Sequence, residues 1–452
     1  MNTKQIKENK LRMILGFSIP SIIAMLLETV ITMTDGYFTG NYVGENALAA
    51  INLGLPILYF YLGIGLCVGV GGTVICGRLL GASDGKRADE VLSQTIVTSL
   101  MACIVISAVL AVLFTPVRDL LGANSALAGY FDEYYKVMLL NYPFMVLTTV
   151  FGMFIRVDGK PQVCMIVSVA GCVLNAALDY ALVAGLGLGV FGSAVGSLSV
   201  QMLTALVMAG YFFSRASGLS FIRFAFDGAL NKEIMFNGSS EFIGEMASAI
   251  SMFAFNFVLM KYAGSEGVAA FTVLGYVVYG FSMICIGFGQ GLTPLVSFLF
   301  GAKEFETAIE LRKITNKILF GIGAVISVFF LLMGRSYAGL FGCSDSVVDM
   351  VVTGFRFYLA TFLFMGYDVI NSMYFTSCGD AKSSALISSL RGIVLLLAFT
   401  FILPMIFGMT GIWMAGPSTE ILTSIVSFCL INRQRLALER GQTAWKPEKA
   451  LQ

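Results

Sequence analysis

The chain has 452 residues, of which 57% are hydrophobic and only 12% are charged. Soluble globular proteins carry about 25% charged residues, so this composition excludes an ordinary water-soluble globule and a disordered chain. The net charge of +1 provides no basic field for a nucleic-acid partner, and the nine cysteines have no paired spacing that would predict a disulfide framework or a zinc site.

Twelve apolar runs follow one another along the chain, each long enough to cross a bilayer as a helix, which takes about 20 residues. They lie near 14–35, 47–76, 91–115, 133–155, 162–184, 190–213, 233–260, 267–299, 316–334, 350–376, 383–407 and 410–431. The runs are continuous rather than alternating, so they predict helices and not a β-barrel. We therefore expect an all-α integral membrane protein with twelve transmembrane helices.

Lysine and arginine are distributed unequally between the two sides that these spans define. With the N-terminus inside, the outward connections and span ends hold 5 of the 28 basic residues, which leaves 28 − 5 = 23 on the inner side. This asymmetry predicts that both termini lie in the cytoplasm. We expect the protein to reside in the inner (plasma) membrane. The basic tail, residues 433–452, is interpreted as a topology signal, with contact to anionic membrane lipids as the alternative.

The two halves of the chain resemble each other at a fixed offset of 220 residues. YVGENALAA from Tyr42 matches YAGSEGVAA from Tyr262, and the ungapped comparison of residues 42–88 gives 13 identities. Composition alone would give roughly three or four. The repeat predicts an N-lobe at 1–213 (spans 1–6), an interlobe cytoplasmic linker at 214–232 and a C-lobe at 233–432 (spans 7–12). An even number of spans per half gives both halves the same orientation, a plan in which the substrate cavity lies between lobes that rock in alternating access.

Acidic residues inside the predicted spans are costly in a membrane and are candidates for function. The candidates are Glu28, Asp35, Asp179, Glu241, Glu245, Asp368 and Glu420. Asp35 and Asp179 come out at similar depth, and Asn175 lies one turn before Asp179 on the same helix face. Two carboxylates and an amide offer oxygen ligands for Na⁺, or a site where the acids share a proton. The alternative is that each acid sits at a hydrated helix end.

The acids of the second half form a separate candidate set, because at the 220 offset Asp35 falls on Phe255 and Asp368 on Thr148. Asp368 and Glu245 are expected near mid-membrane. Together with Glu241 they serve either coupling or substrate binding, or only line a polar cavity. Pro20 lies inside span 1 and removes a helix hydrogen bond, so it predicts a bend there, either static or a moving hinge.

Several motifs resemble those of the multidrug and toxic compound extrusion (MATE) family, and most of all its bacterial DinF-like branch. They are TDGYFTGNYVGENALAA at the end of span 1, VLNAALDYALV in span 5 and the loop GRLLGASDGKRA. The resemblance covers roughly residues 14–432 and implies a cation-coupled antiporter that exports lipophilic cationic molecules in exchange for H⁺ or Na⁺, without a cofactor. It implies a first-lobe coupling site at Asp35, Asn175 and Asp179, with Ser197 of GSAVGS as the span 6 hydroxyl and Pro20 as the bend of span 1.

We therefore expect a multidrug efflux antiporter, working as a monomer. The alternative within the same superfamily is a lipid-linked oligosaccharide flippase, which would need a cationic cavity for pyrophosphate, whereas the membrane charges here are mainly acidic. An enzyme is disfavoured because the sequence has no histidine and no evident set of nucleophile and base. A channel is disfavoured because the duplication suits alternating access.

Overall fold

The computed structural model describes residues 2–439, apart from the side chains of residues 248, 249, 252, 253, 438 and 439. Every regular element in this range is helical. In chain order the α-helices are α1 (Thr3–Glu8), α2 (Lys10–Tyr42), α3 (Glu45–Leu53), α4 (Leu55–Gly81), α5 (Gly85–Val112), α6 (Phe114–Leu120), α7 (Ala128–Val157), α8 (Pro161–Asp179), α9 (Gly189–Phe212), α10 (Gly228–Gly301), α11 (Phe305–Gly339), α12 (Asp345–Cys378), α13 (Ala381–Ser389), α14 (Leu395–Phe407) and α15 (Met409–Glu439). Two π-helical segments, Tyr180–Gly185 and Leu390–Val394, follow α8 and α13.

The predicted membrane spans correspond to these helices. Within the described residues, 11 helices are long and apolar enough to cross a bilayer. The element α10 accounts for two predicted spans, 233–260 and 267–299, because the backbone at Gly264 (φ 59°, ψ −155°) is not helical and divides it. With that division the fold is the predicted twelve-helix arrangement of an all-α, multi-pass membrane protein. The predicted run 47–76 is also divided, at Gly54 between α3 and α4.

Many large apolar side chains are exposed and some acidic side chains are buried, as expected for a protein surrounded by lipid. Large apolar side chains such as Val112 and Leu332 are 83% and 77% exposed, whereas the carboxylates of Asp179 and Asp368 are fully buried. Because hydrocarbon cannot hydrogen-bond to polar groups, these groups lie inside the helical bundles.

The duplication is visible in the backbone as well as in the sequence. Four pairs of residues with positive φ are separated by 220 positions: Gly44 and Gly264, Ser83 and Lys303, Gly122 and Gly342, and Gly159 and Gly379. Positive φ is uncommon outside glycine, so the Ser83–Lys303 pair (φ 64° and 61°) is a specific feature of the turn before α5 and α11. The two halves therefore use the same turns at the same helix ends.

The chain forms two compact units. Unit 1 contains Ile19–Gly238 and Gly301–Lys303, and unit 2 contains Thr3–Ser18, Ser239–Phe300 and the chain from Glu304 onward. The divisions within α2 and α10, after Ser18 and after Gly238, are again 220 residues apart. The chain between α9 and α10, residues 213–227, overlaps the predicted linker 214–232 and belongs to unit 1. Helix α10 begins at Gly228, within the predicted linker. Of the predicted tail 433–452, residues 440–452 lie outside the described residues.

Glycine explains why the first turns of α10 belong to unit 1. A Cβ atom on Gly71 of α4 would lie 2.0 Å from the carbonyl oxygen of Ile234, and one on Gly238 of α10 would lie 1.8 Å from that of Cys67. The backbones of α4 and α10 therefore touch at these two points, as in small-residue packing of membrane helices. The buried core of unit 1 also contains aromatic pairs, such as Tyr61 and Tyr142, whose stacked ring centres lie 4.6 Å apart.

Candidate functional site

Four of the predicted site residues meet inside unit 1. Asp35 comes from α2, Asn175 and Asp179 from the last turns of α8, and Ser197 from α9. The Ser197 hydroxyl donates a hydrogen bond to Asp35 Oδ2 at 3.3 Å. The Asp35 carboxyl group also interacts with the side chains of Asp179 and Asn175. The three helices therefore bring two carboxyl groups, an amide and a hydroxyl to one place, which we call the unit 1 cluster.

The unit 1 cluster is buried and rich in unpaired acceptors. Asp179 is 0% exposed, Asn175 1% and Ser197 8%, while Asp35 is half-buried. Within the described residues, Asp35 Oδ1, Asn175 Oδ1 and both carboxylate oxygens of Asp179 accept no hydrogen bond. A buried carboxylate is costly unless it is paired or coordinates a cation. Oxygen atoms from two acids and an amide suit a hard cation such as Na⁺, and protonation removes the same cost.

Local features of α8 and α9 place these groups. Asp179 is the last residue of α8, and the wider π-helical turn starts at Tyr180; such turns are frequent at functional sites. Gly196 precedes Ser197 on α9, and a Cβ atom there would lie 3.2 Å from Asp179 Oδ1. The absence of a side chain at residue 196 therefore lets α9 pass close to the Asp179 carboxylate.

Pro20, the predicted bend of span 1, lies inside the continuous helix α2. The division between the two compact units falls after Ser18, two residues before this proline. Pro20 cannot donate a backbone hydrogen bond to residue 16. The division between the units therefore falls within the turn of α2 that lacks this hydrogen bond.

Unit 2 contains a cavity of about 530 Å³ with charged and aromatic walls. Its charged residues are Asp368, Arg391 and Glu420, so the lining carries a formal charge of 1 − 2 = −1. Apolar and aromatic residues form most of the remaining wall, among them Phe255, Phe271, Tyr276, Tyr279, Tyr358 and Met365. This volume and composition are typical of a pocket for a small organic molecule.

Hydrogen bonds fix the positions of the three charged side chains of this cavity. Arg391 Nε donates to both oxygens of Glu420, at 2.9 and 3.1 Å. The Ser424 hydroxyl donates to Asp368 Oδ2 at 2.9 Å, and Asp368 Oδ1 accepts no hydrogen bond from any described residue. The carboxyl groups of Asp368 and Glu420 are neighbours, and their negative charges repel each other when both are ionised. Glu420 is therefore neutralised by Arg391, whereas Asp368 is a buried acid with one oxygen atom that accepts no hydrogen bond from a described residue.

The other acids of the predicted C-lobe set are elsewhere in unit 2. Glu241 and Glu245 lie one turn apart on α10 and are half-buried, and neither lines the cavity that contains Asp368. Sequence reasoning missed Arg391, which is the partner of Glu420. The signal was a single arginine inside the apolar run LRGIVLLLAF of the predicted span 383–407.

A family model identifies the protein family. The model MatE matches residues 20–181 and again residues 242–402, once in each half of the chain. The chain belongs to the MATE family. Proteins of this family are membrane transporters and not enzymes, as the sequence predicts for this chain. The double match also fits the duplication seen in the backbone.

Several relatives are similar over nearly the whole chain. The multidrug export protein MepA of Staphylococcus saprophyticus subsp. saprophyticus is 25% identical over 96% of this chain and 97% of its own length. MepA of Staphylococcus haemolyticus is 26% identical over 94% of each chain. A solved structure of the outward-facing conformation of a multidrug resistance MATE family transporter of the MOP superfamily is 23% identical with a TM-score of 0.89, covering 95% of this chain and 96% of that chain. A structure of MATE in the bent conformation is 24% identical with a TM-score of 0.89, covering 96% and 97%. The solved structures share the fold of this chain.

Proposed function

We propose that this chain is a multidrug efflux antiporter that couples the export of lipophilic, cationic small molecules to the entry of H⁺ or Na⁺. The names of its MepA relatives support the transport of drugs. The observation that carries the coupling is the unit 1 cluster, where buried oxygen atoms of two carboxyl groups accept no hydrogen bond from a described residue. In this proposal the protein works as a monomer in the inner membrane with both termini in the cytoplasm.

The coupling ion binds among Asp35, Asn175 and Asp179, with Ser197 holding the Asp35 carboxylate in position. Cation binding neutralises buried negative charge, so it favours whichever conformation packs the cluster most tightly. Coupling follows when drug and cation prefer different conformations, since each ligand then lowers the affinity for the other. Alternating access opens the transport path to one side of the membrane at a time, with the bend of α2 at Pro20 as the hinge.

The cavity of unit 2 is proposed as a binding surface for the exported molecule. Its aromatic wall can hold an organic cation by cation–π contact, and Asp368 supplies a carboxyl group that no described basic residue pairs with, because Arg391 pairs with Glu420. Glu241 and Glu245 lie outside this wall, so they are secondary candidates for cation coupling.

The test is ethidium efflux from proteoliposomes under an imposed pH gradient or an imposed sodium gradient, each alone. Asp35→Asn and Asp179→Asn keep the side-chain size but remove the charge, and each is expected to reduce gradient-driven efflux to the background rate. Asp345→Asn, at an exposed position in the first turn of α12, is the matched control and keeps wild-type efflux.

Thermal unfolding of each variant checks that the fold is retained. Gradient-driven efflux in both Asp35→Asn and Asp179→Asn would remove the unit 1 cluster from the mechanism. Movement of a lipid-linked oligosaccharide without any ion gradient, and no ethidium efflux, would instead favour the flippase.

A further inference from the structure

A second cavity in unit 2, of about 280 Å³, has a strongly basic wall. Its charged residues are Arg312, Lys313, Lys317 and Arg435, and its lining contains no acidic residue. The cavity lies at the end of unit 2 where α11 begins and where α12 and α15 end. Arg312, Lys313 and Lys317 alone place three positive charges around one small cavity, so the cavity fits an anion.

The innermost of these charges is a buried arginine without a counter-ion. Arg312 is 5% exposed and forms no ion pair with a described residue. Its Nη1 donates to Asn371 Oδ1 at 2.9 Å, and its guanidinium lies 5.2 Å from the centre of the Tyr374 ring. Its Nε makes no hydrogen bond within the described chain. The guanidinium is thus fixed by neutral groups, while a donor and the full charge remain available at the cavity wall.

Two exposed lysines, Lys313 and Lys317, add positive charge to the same wall. Lys313 and Lys317 are one turn apart on α11, are exposed, and form no ion pair with described residues. Like charges at this spacing destabilise a helix unless another group compensates. A bound anion would provide that compensation.

The duplication shows that the basic wall is particular to unit 2. At the 220 offset Arg312, Lys313 and Lys317 correspond to Leu92, Ser93 and Val97. In unit 1 the chain between α9 and α10 covers this surface, and the amide of Ile222 donates to Ser93 Oγ at 3.1 Å. The repeat scaffold therefore does not require basic residues here.

The depth of the cavity fits the edge of a bilayer. Helix α11 has 35 residues and is about 52 Å long, whereas the hydrocarbon core is about 30 Å thick. Shared equally, the excess places about 11 Å of helix beyond the core at each end. Arg312 lies about 10 Å from the start of α11, at the edge of the core. Lys317 lies about 18 Å from the start, and its long side chain can extend back to the edge. Phe428, 57% exposed, adds an apolar surface to the cavity lining.

We propose that this cavity binds the phosphate group of an anionic phospholipid. The guanidinium of Arg312 and the ammonium groups of Lys313 and Lys317 hold the phosphate oxygens, and an acyl chain lies along Phe428. The volume is just below the lower limit of about 300 Å³ for pockets that hold a whole organic ligand, so it suits a headgroup. Residues 440–452 are a poor occupant, because they carry Arg440, Lys446 and Lys449 against one acid, Glu448.

The experiment measures phospholipid binding to the delipidated full-length protein by native mass spectrometry. The probes are phosphatidylglycerol, zwitterionic phosphatidylcholine and the soluble anion glycerol 3-phosphate. Wild type is compared with Lys313→Gln/Lys317→Gln, which changes only exposed side chains. The control, Lys86→Gln/Lys160→Gln, removes the same charge from exposed lysines of unit 1.

We expect wild type to prefer phosphatidylglycerol, and Lys313→Gln/Lys317→Gln to lower its affinity by roughly tenfold or more, with no change in the control. An equal loss in both double variants would show diffuse surface attraction and overturn the proposal. No preference over phosphatidylcholine would also overturn it. Binding of glycerol 3-phosphate as tight as that of the lipid would overturn the assignment to a membrane lipid. None of these results depends on drug transport, so this proposal and the proposed function fail separately.

Discussion

Asp179 is fully buried, and neither of its carboxylate oxygens accepts a hydrogen bond within the described residues. Helix α9 passes close to this carboxylate at Gly196, where a Cβ atom would lie 3.2 Å from Asp179 Oδ1. The properties of the cluster therefore depend on a residue that has no side chain, as much as on the acids themselves.

Gly196→Ala is expected to impair coupling at this site. The new Cβ would lie 3.2 Å from Asp179 Oδ1, a distance that forces the carboxylate to move by a few tenths of an ångström. Since cation sites depend on such distances, we expect the concentration of Na⁺ or H⁺ that gives half-maximal efflux to rise by about three- to tenfold. Gly210→Ala on the same helix meets no atom within 4 Å and is the control. If Gly196→Ala and wild type need the same ion concentration for half-maximal efflux, Asp179 does not bind the coupling ion.

Single residues also show how far the sequence predicts the site. Counting residues from the span ends placed Asp35 and Asp179 at similar depth, and the resemblance to a family added Ser197; the structure brings them together with Asn175. The pairing of Arg391 with Glu420 is not predicted in this way, because the depth of a residue does not show which helices face each other. Two charges 29 positions apart in sequence become a pair only through the packing of α15 against the segment after α13.

At the scale of elements, the π-helical segment Leu390–Val394 organises the cavity of unit 2. The Ser251 hydroxyl of α10 donates to the carbonyl oxygen of Gly392 at 2.8 Å, and a Cβ atom at Gly392 would lie 2.5 Å from that of Ala247. The segment therefore packs directly on α10, and Arg391 reaches Glu420 of α15. A hydropathy pattern identifies the span but not this wider turn, because the sequence between α13 and α14 has no breaking proline.

The Arg391–Glu420 pair is expected to act as a structural link between this segment and α15. Arg391→Gln leaves Glu420, 5% exposed, without its partner, and the expected cost is on the order of 3 kcal/mol in the free energy of unfolding. The double variant Arg391→Met/Glu420→Leu replaces the pair by apolar groups of similar size and should be closer to wild type. Thermal unfolding in detergent measures both. A double variant less stable than Arg391→Gln would mean that the pair itself, rather than the unpaired acid, determines stability.

At the scale of the whole molecule, the two halves share a backbone plan but not their chemistry. Residues with positive φ recur at the 220 offset, yet Asp35 corresponds to Phe255 and the basic wall of unit 2 to Leu92, Ser93 and Val97. Self-comparison of the sequence predicted the duplication because turn glycines and small residues are retained. It did not predict where the compact units divide, after Ser18 and Gly238, since those points lie inside continuous helices.

The two halves share their turns but not their sites. Substitutions at equivalent turn positions are therefore expected to change the stability of the protein equally. Gly159 and Gly379 have φ values of 88° and 79° at the ends of α7 and α12, where a Cβ atom costs about 1–2 kcal/mol. Gly159→Ala and Gly379→Ala should therefore lower the unfolding temperature by similar amounts, on the order of 2 °C. Gly210→Ala and Gly339→Ala, whose surroundings are open, are the controls in the two units and should not lower it. A clear loss in one unit and none in the other would show that the two turns have diverged in their contribution to stability, despite their common backbone.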